Sequence, residues 1–454
     1  MGQDINIKKL QGIISFLIVS CVLFTSCGRG SGSISTGGST QNNPVVTPAV
    51  NASILISAGL NGLPSDGISA AASVSADGRY VVFESNATNL VSPATNGVNH
   101  IFLRDLTAGT TSLVSVSSAG VQGNSISSAP AISSDGRYVA FESRSTNLVV
   151  PAANGVNHIF LRDLTAGTTS LVSVSSAGVQ GNSISSAPAI SSDGKYVAFE
   201  SRSTNLVIPA TNGLNHIFLR DLTSGTTSLL SVNITSTPAN GNSSAPAITA
   251  DGKYVAFESN ATDLIVQVTF GVSQIFLRDL AASTTSLVSV NSIGSQGNGP
   301  SFAPAISADG RYVAFESFAS NLTGSDINAL KDIFVRDLGA AATVLVSVSS
   351  GGVQGNSTSS APAISADGRY VAFESLATNL VSPGTNGVSH IFVYDLNTGL
   401  TALVSASPLG TEGNAGSFAP AITGDGGFIA YESNASNLID NDTNALKDIF
   451  IYAQ

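Results

Sequence analysis

Short apolar stretches separated by turn residues run along most of the chain, and their pattern repeats. In one unit, residues 128–175, four stretches follow one another: SAPAIS, RYVAFES, HIFLRDL and TSLVSVS. Runs of about 4–8 residues with alternating apolar and polar positions, bounded by Gly, Asn and Asp, predict β-strands. Asp135-Gly136, between the first two stretches, is a two-residue hairpin signal. The unit therefore predicts four antiparallel strands.

The unit recurs at a fixed interval of 58 residues. An Asp-Gly pair keeps this spacing at Asp77, Asp135, Asp193, Asp251, Asp309, Asp367 and Asp425. Residues 49–454 hold seven units with no residue left over. Seven four-stranded units predict an all-β protein, a seven-bladed β-propeller. A solenoid is the alternative, but solenoids need atypical capping repeats at their ends.

The two ends of the repeat region complement each other. Residues 55–57 match the fourth strand of a unit, and the last unit stops at Gln454 after its third strand. We therefore expect the N-terminal strand to complete the seventh blade and close the ring, which leaves no open blade edge.

The repeat also resembles a known family. The segments ISSDGRYVAFES and HIFLRDLTAGTT resemble the propeller repeat of the periplasmic TolB-like family, and the resemblance covers residues 49–454. It implies the fold. The TolB family itself has six blades and an additional N-terminal α/β domain, so the resemblance does not imply a Tol–Pal role.

Composition and charge narrow the function classes. Hydrophobic residues make up 43% of the chain, enough for a large core, so wholesale disorder is excluded. The net charge is −11, which argues against nucleic-acid binding, because that function needs a basic surface.

The N-terminus predicts export and lipidation. Lys8 and Lys9 precede an apolar run at 13–24, which is short for a membrane span. Thr25-Ser26-Cys27 follows, and this order resembles a bacterial lipoprotein signal that is cleaved before a lipidated cysteine. Cys21 fits the motif locally, but cleavage there would leave an apolar stretch on the mature chain. An ordinary secretory signal or an uncleaved anchor is the alternative.

These signals predict three segments. Residues 1–27 form the signal peptide with Cys27 as the lipidated residue, 28–48 form a flexible tether rich in Gly, Ser and Thr, and 49–454 form the propeller. Both cysteines lie within the first segment. The propeller itself therefore contains no thiol for a disulfide, a nucleophile or a zinc site.

Several polar residues recur in every unit, and recurrence around a ring favours a structural role. The strand-two Glu of the Glu-Ser pair is interpreted as the start of a locally hydrogen-bonded loop. Antiparallel pairing predicts ion pairs between the start of strand two and the end of strand three, as for Arg79 with Asp105 and Lys195 with Asp221. The four histidines share one position per blade, too far apart for a common metal ion.

Unit seven carries the strongest metal signal. Asp440, Asp442, Asn444 and Asp448 place oxygen ligands at alternate positions of one loop, which resembles the calcium loops of integrin-type propellers. Unit five retains Asp326, Asn328 and Asp332. The alternative is an acidic, solvated turn. Calcium is the possible cofactor, and we expect no cofactor to be required.

Together these features predict a monomeric, lipid-anchored propeller of the bacterial cell envelope that faces the periplasm or the cell exterior. It would act as a binding or scaffold module for an envelope or surface protein. No nucleophile–base pair can be built from the spacing, so we expect no enzyme and assign no catalytic residue. The alternative function is a hydrolase or lyase with its site at the central mouth of the propeller.

Overall fold

The computed structural model describes residues 51–454, apart from Val268, Phe270 and Asn441. The predictions for the signal peptide, for lipidation at Cys27 and for the tether at 28–48 lie outside the described residues. In the part of the chain that is described, no helix has the length and apolar character needed to cross a membrane.

The described chain forms seven four-stranded antiparallel sheets, the blades, arranged in a ring. Blades one and two contain β2 (Ser69–Val74), β3 (Tyr80–Ser85), β4 (His100–Asp105), β5 (Thr110–Leu113), β6 (Ser127–Ile132), β7 (Tyr138–Ser143), β8 (His158–Asp163) and β9 (Thr168–Leu171). Blades three and four contain β10 (Ser185–Ile190), β11 (Tyr196–Ser201), β12 (His216–Asp221), β13 (Thr226–Leu229), β14 (Ser243–Ile248), β15 (Tyr254–Ser259), β16 (Gln274–Asp279) and β17 (Thr284–Leu287).

The remaining three blades follow the same order, from the innermost strand outwards. Blades five and six contain β18 (Ser301–Ile306), β19 (Tyr312–Ser317), β20 (Asp332–Asp337), β21 (Ala342–Leu345), β22 (Ser359–Ile364), β23 (Tyr370–Ser375), β24 (His390–Asp395) and β25 (Leu400–Leu403). Blade seven combines β26 (Ser417–Ile422), β27 (Phe428–Ser433) and β28 (Asp448–Ala453) with β1 (Ala52–Leu55). A 3₁₀ turn at Leu60–Gly62 follows β1.

The N-terminal strand closes the ring as predicted. β1 pairs antiparallel with β28, from Ala52 opposite Ala453 to Leu55 opposite Phe450. Ser53 adds a hydrogen bond of 2.7 Å between its hydroxyl and that of buried Tyr431. The seven-bladed propeller is therefore confirmed, and the solenoid alternative is wrong.

Alternation along the strands makes adjacent blades interdigitate. In β7, Val139 and Phe141 pack towards blade one, while Ala140 lies in the cluster shared with blade three. The small Ala140 side chain leaves room on that face for Phe199 of the next blade. Large side chains thus meet small ones at each interface, as dense packing requires.

The innermost strands surround a narrow central channel. Near the turns after these strands it has a volume of about 190 Å³ and is lined by aliphatic and small residues, including Ile132, Ile190 and Ala250. Backbone hydrogen bonds link successive blades here, for example from the Ala308 amide to the Ala366 carbonyl at 2.9 Å. They hold the inner ends of the blades together around the axis.

The chain direction gives the ring two different rims. The strand one–two and three–four turns lie on one rim, called the turn rim. The strand two–three and four–one loops lie on the other, called the loop rim. The two loop types contact each other, since the Asn147 side-chain amide donates to the Gln122 carbonyl at 2.8 Å.

Candidate functional site

The histidines lie buried at the start of strand three, each in its own blade. In blade two, His158 Nε2 donates to Asn154 Oδ1 at 2.8 Å, and Nδ1 lies 2.8 Å from Ser173 Oγ. Ser173 Oγ also accepts from the Ile159 amide, so its proton is free for Nδ1. Burial lowers the pKa of His158 to about 4 and keeps the ring neutral. The histidine is a structural link between strands three and four.

Other side chains occupy the same position in three blades: Gln274 in blade four, Asp332 in blade five and Asp448 in blade seven. Asp448 Oδ1 accepts from Ser57 Oγ at 2.6 Å and from Ser65 Oγ at 3.1 Å. Its Oδ2 accepts from Asn444 Nδ2 at 2.8 Å. Both Asp448 oxygens therefore have protein donors, and this carboxylate replaces the histidine of other blades.

The predicted calcium residues of blade seven are only partly brought together. Asn444 and Asp448 are in contact, and Asn444 Oδ1 accepts from the Leu446 amide at 2.9 Å. Asp440 is exposed, while Asp442 is half-buried, and its pKa is raised by burial and then by the charge of Asp448. Within the described ranges, no three His, Cys, Asp or Glu side chains group around a common point. Calcium binding stays a prediction.

The strand-two Glu forms a hydrogen bond with the next blade, which the sequence did not indicate. Glu142 Oε1 accepts from the Ala187 amide of blade three at 2.8 Å. Ala187 has φ of 48° and lies at a bulge in the innermost strand. The equivalent bond joins Glu84 to Ala129, Glu258 to Ala303, Glu316 to Ala361, Glu374 to Ala419 and Glu432 to Ala71.

The prediction that the Glu-Ser motif makes local hydrogen bonds was therefore wrong for the Glu and right for the Ser. Ser143 Oγ accepts from the Ser145 amide two residues later, at 3.0 Å. The Glu side chain instead spans the blade interface and accepts from a backbone amide that the bulge leaves outside the sheet ladder. The signal in the sequence was an alanine that recurs 45 residues after each of these glutamates except Glu432, whose partner Ala71 lies in the first unit because the ring closes.

The predicted ion pairs on the turn rim form where the basic residue is arginine. Arg369 binds Asp395 through two nitrogens, at 3.2 and 2.8 Å, and holds the pKa of Asp395 at about 2. The same pair forms for Arg79, Arg137 and Arg311 with Asp105, Asp163 and Asp337.

The prediction is wrong for the two lysines. Lys195 pairs with Asp193 of its own turn at 2.8 Å rather than with Asp221, and Lys253 pairs with Asp251. A guanidinium binds a carboxylate through two parallel bonds, whereas an ammonium is a compact charge that is free to pair with a nearer acid.

Aliphatic side chains stand exposed on the loop rim. Each described four–one loop carries one near its tip: Val121, Val179, Ile234, Ile293, Val353 and Leu409. In the two–three loops, Val150 and Ile208 are 100% exposed. Sequence reasoning did not single out these residues, and the signal was the recurrence of an aliphatic residue in each of these loops.

Two grooves open beside these loops, on the outer side of the blades. The larger has a volume of about 990 Å³ and is lined by Ile208, Pro209, Leu229 and Arg278 among others. The equivalent groove one repeat earlier has about 640 Å³ and is lined by Val150 and its neighbours. The grooves are apolar and accessible from the loop rim.

No family model and no curated protein sequence matches this chain. Among solved structures, it is similar to TolB from Acinetobacter baumannii, at 16% identity and TM-score 0.39, over 84% of this chain and 81% of the other. It is similar to an oligogalacturonate lyase in complex with manganese, at 12% identity and TM-score 0.50, over 89% and 98%. The β-propeller domain of the Trilobed protease from Pyrococcus furiosus gives 12% identity and TM-score 0.52, over 86% and 94%.

At these identities the similarity is one of fold. The seven blades of the structure confirm the predicted β-propeller, and TolB is among the solved structures to which the chain is similar. The propeller of the Trilobed protease is described as having an open Velcro topology. In the present chain, β1 closes the ring.

The expectation that the protein is not an enzyme is wrong. Solved structures of similar fold include an oligogalacturonate lyase and the propeller domain of a protease. The propeller fold therefore occurs in enzymes as well as in binding proteins. The expectation had rested on near-symmetry and on the spacing of candidate nucleophiles. A fold by itself does not decide function, and near-symmetric blades do not exclude catalysis.

Proposed function

We propose that this protein is a lipid-anchored binding module of the bacterial cell envelope, which holds an envelope or surface protein on its loop rim. The observation that carries this proposal is the row of exposed aliphatic side chains that recurs from blade to blade on one rim. Leu409 is 94% exposed, and Ile293 is 88% exposed. Exposed aliphatic side chains that recur on one rim, among polar loop residues, offer a protein partner several separate apolar contacts.

The distribution of charge supports the choice of rim. Ion pairs such as Arg79 with Asp105 and Arg311 with Asp337 lie on the turn rim, where strand two begins and strand three ends. The described four–one loops have few charged residues beyond Glu412. Depletion of charge accompanies burial at protein interfaces, so the four–one loops suit a partner better than the turn rim or the two–three loops, where Arg144, Arg202 and Asp440 are exposed.

The position of β1 supports an orientation for the anchored protein. Ala52 pairs with Ala453, which lies at the turn-rim end of β28. A tether that precedes β1 would therefore join the propeller on the turn-rim side. In our proposal the membrane lies on that side, and the loop rim faces away from it.

Capture from detergent-solubilised envelope tests the partner, with two matched triple variants. The loop-rim variant carries Ile293→Ser, Val353→Ser and Leu409→Ser. The control variant carries Ala166→Ser, Ala282→Ser and Ala340→Ser, at exposed positions of the strand three–four turns. We expect a protein that co-purifies with wild type and the control but not with the loop-rim variant. Equal capture by all three would place the interaction elsewhere.

Fractionation tests the anchor separately. Cys27→Ala is expected to abolish fatty-acid labelling and to release the protein from membranes, while Cys21→Ala leaves both unchanged. Stable anchoring needs more than one acyl chain, which the lipoprotein signal would provide. Persistent labelling of the Cys27→Ala protein would contradict the proposed lipidation site.

A further inference from the structure

The larger outer groove holds an arginine whose bonding differs from that of its counterparts. In blades two, three and five, the arginine near the end of strand three donates Nη1 to a carbonyl of the preceding four–one loop. The bonds are Arg162 to Ser117 at 3.2 Å, Arg220 to Ser175 at 3.2 Å and Arg336 to Asn291 at 3.1 Å. In these blades the guanidinium ties one blade to its neighbour.

Arg278 of blade four lacks this bond to the loop, as does Arg104 of blade one, which lies outside the groove. Arg278 Nη1 donates to Thr285 Oγ1 at 3.2 Å, and its Nε is buried without a partner among the described residues, as are the Nε atoms of Arg104 and Arg336. Burial lowers the pKa of Arg278 and Asp279 opposes the shift, and burial likewise lowers the pKa of Arg162, Arg220 and Arg336. What distinguishes Arg278 from these three is that its guanidinium makes no bond to the loop and faces the groove, so its free donors can bind an anionic partner.

The loop beside Arg278 differs in sequence from its counterparts. The loop before blade four has the sequence NITSTPAN at 233–240, where the corresponding loop of blade two is SSAGVQGN at 117–124. Pro238 replaces the recurrent glutamine, and Ser236 takes the left-handed position that glycine holds elsewhere. This loop departs from the repeat beside the groove, and both Pro238 and Ser236 line that groove.

The other lining residues indicate the chemical class of the ligand. Leu206, Val207, Ile208, Pro209 and Leu229 give the groove an aliphatic surface. Among the residues that the structure describes, Arg278 is the one charged residue of the lining, and no aromatic side chain contributes to it. An aliphatic surface without stacking rings suits an alkyl chain rather than a sugar, and a single guanidinium matches one planar carboxylate.

We propose that this groove binds a long-chain aliphatic carboxylate, with the carboxylate on Arg278 and the alkyl chain along Leu206 to Pro209. The volume of about 990 Å³ lies at the upper end of the usual range for small-ligand pockets, about 300–1,000 Å³. Val179 lies both at a loop tip and in the lining of this groove, whereas Ile293, Val353 and Leu409, which test the protein partner, do not line the groove. Different variants therefore test the two proposals.

A second groove of this chain serves as a control for the role of Arg278. The groove of about 640 Å³ one repeat earlier has the same kind of aliphatic lining, including Val149, Val150 and Pro151, but no charged residue lines it. Arg220, the arginine that corresponds to Arg278 there, is tied to the Ser175 carbonyl. If apolar contact alone were enough for binding, both grooves would bind the ligand. If binding also needs the positive charge of Arg278, only the larger groove will bind it.

Calorimetry with dodecanoate, below its micelle concentration, tests the site on the purified propeller. We expect one dodecanoate per chain, at least ~10-fold weaker binding by Arg278→Gln, and weak binding of dodecanol that this substitution does not change. Ile208→Ser should also weaken dodecanoate binding, and it tests the groove at a fully exposed side chain even if Arg278→Gln fails to fold. Val150→Ser should leave the affinity unchanged.

Three outcomes would overturn the proposal: no binding of dodecanoate by the wild type, equal affinity in a folded Arg278→Gln protein, or an equal loss with Val150→Ser. Binding only to anionic vesicles, without binding of free dodecanoate, would also overturn it, because it would indicate a membrane-surface contact instead. Far-ultraviolet circular dichroism of each variant establishes that the fold is intact.

Discussion

At the scale of single residues, the repeated acids and histidines mostly hold blades together. The Glu142 carboxylate illustrates the principle, since Oε1 accepts from the Ala187 amide and Oε2 from Asn157 Nδ2 at 2.7 Å. A positive φ at a non-glycine residue costs on the order of 1 kcal/mol. The carboxylate offsets that cost by satisfying an amide that the bulge would otherwise leave without a partner.

Removing this carboxylate should destabilise the ring at one interface. We expect Glu142→Ala to lower the free energy of unfolding by roughly 2 kcal/mol, because a hydrogen bond to a charged group contributes about 1.5–3 kcal/mol. Glu142→Gln keeps an acceptor and should lose less. Urea denaturation measures the difference, and an unchanged midpoint for Glu142→Ala would contradict a role between blades.

The buried histidines should make stability depend on pH. The pKa of His158 is about 4 in the folded state, and the ordinary value is 6.5. The unfolded chain therefore binds more protons between these values, so stability is complete above pH 6.5 and falls as the pH drops towards 4. His100 and His216 behave alike, each with a pKa of about 4.

Blade four suggests the variant that tests this. Gln274 holds the histidine position there and bonds Ser289 Oγ through its side chain. We expect His158→Gln to fold and to lose less stability than wild type between pH 7 and pH 5, by on the order of 1–2 kcal/mol. Parallel pH curves for the two proteins would refute a titrating His158.

At the scale of elements, ring closure depends on a single short strand. β1 covers one edge of β28, and Ile56, which follows it, is fully buried. Deletion of 49–60 should lower the free energy of unfolding by roughly 5 kcal/mol or more, since it exposes several aliphatic side chains and a strand edge. Deletion of 28–48 should leave it unchanged. Equal thermal stability of the two truncated proteins would argue against closure by β1.

The blade-seven loop carries the calcium prediction. Calcium that binds the folded state should raise the melting temperature, chelator should reverse the rise, and Asp442→Ala should remove it. Asp326→Ala, at the equivalent position of blade five, is the matched control. A melting curve that calcium leaves unchanged would show that Asp440, Asp442, Asn444 and Asp448 form only a polar turn.

At the scale of the whole molecule, the closed ring should unfold as one unit. Each blade shares a core cluster with its neighbours, and β1 joins the first and last units. We expect tyrosine fluorescence and far-ultraviolet circular dichroism to give coincident urea transitions, as the chain has nine Tyr and no Trp. Separate transitions would indicate blades that unfold from an open end, as repeats in a solenoid can.

The sequence by itself determined the blades, their number and the closing strand. Strand alternation and Asp-Gly turns are local signals, and the exact 58-residue period repeats them seven times. The Arg369–Asp395 pair could also be predicted, because antiparallel register places the two residues together within one hairpin. The strands and the ion pair depend on contacts within a single unit, and the closing strand could be predicted because the two ends of the repeat region complement each other.

The tertiary structure decided what depends on contacts between units. Glu142 meets Ala187, 45 residues away, only because blades two and three pack face to face. Arg278 makes no hydrogen bond to the loop at 233–240, although the corresponding arginines of blades two, three and five bond to their loops. Spacing along the chain does not reveal which donors remain unused after packing, since that depends on the position of neighbouring loops in space.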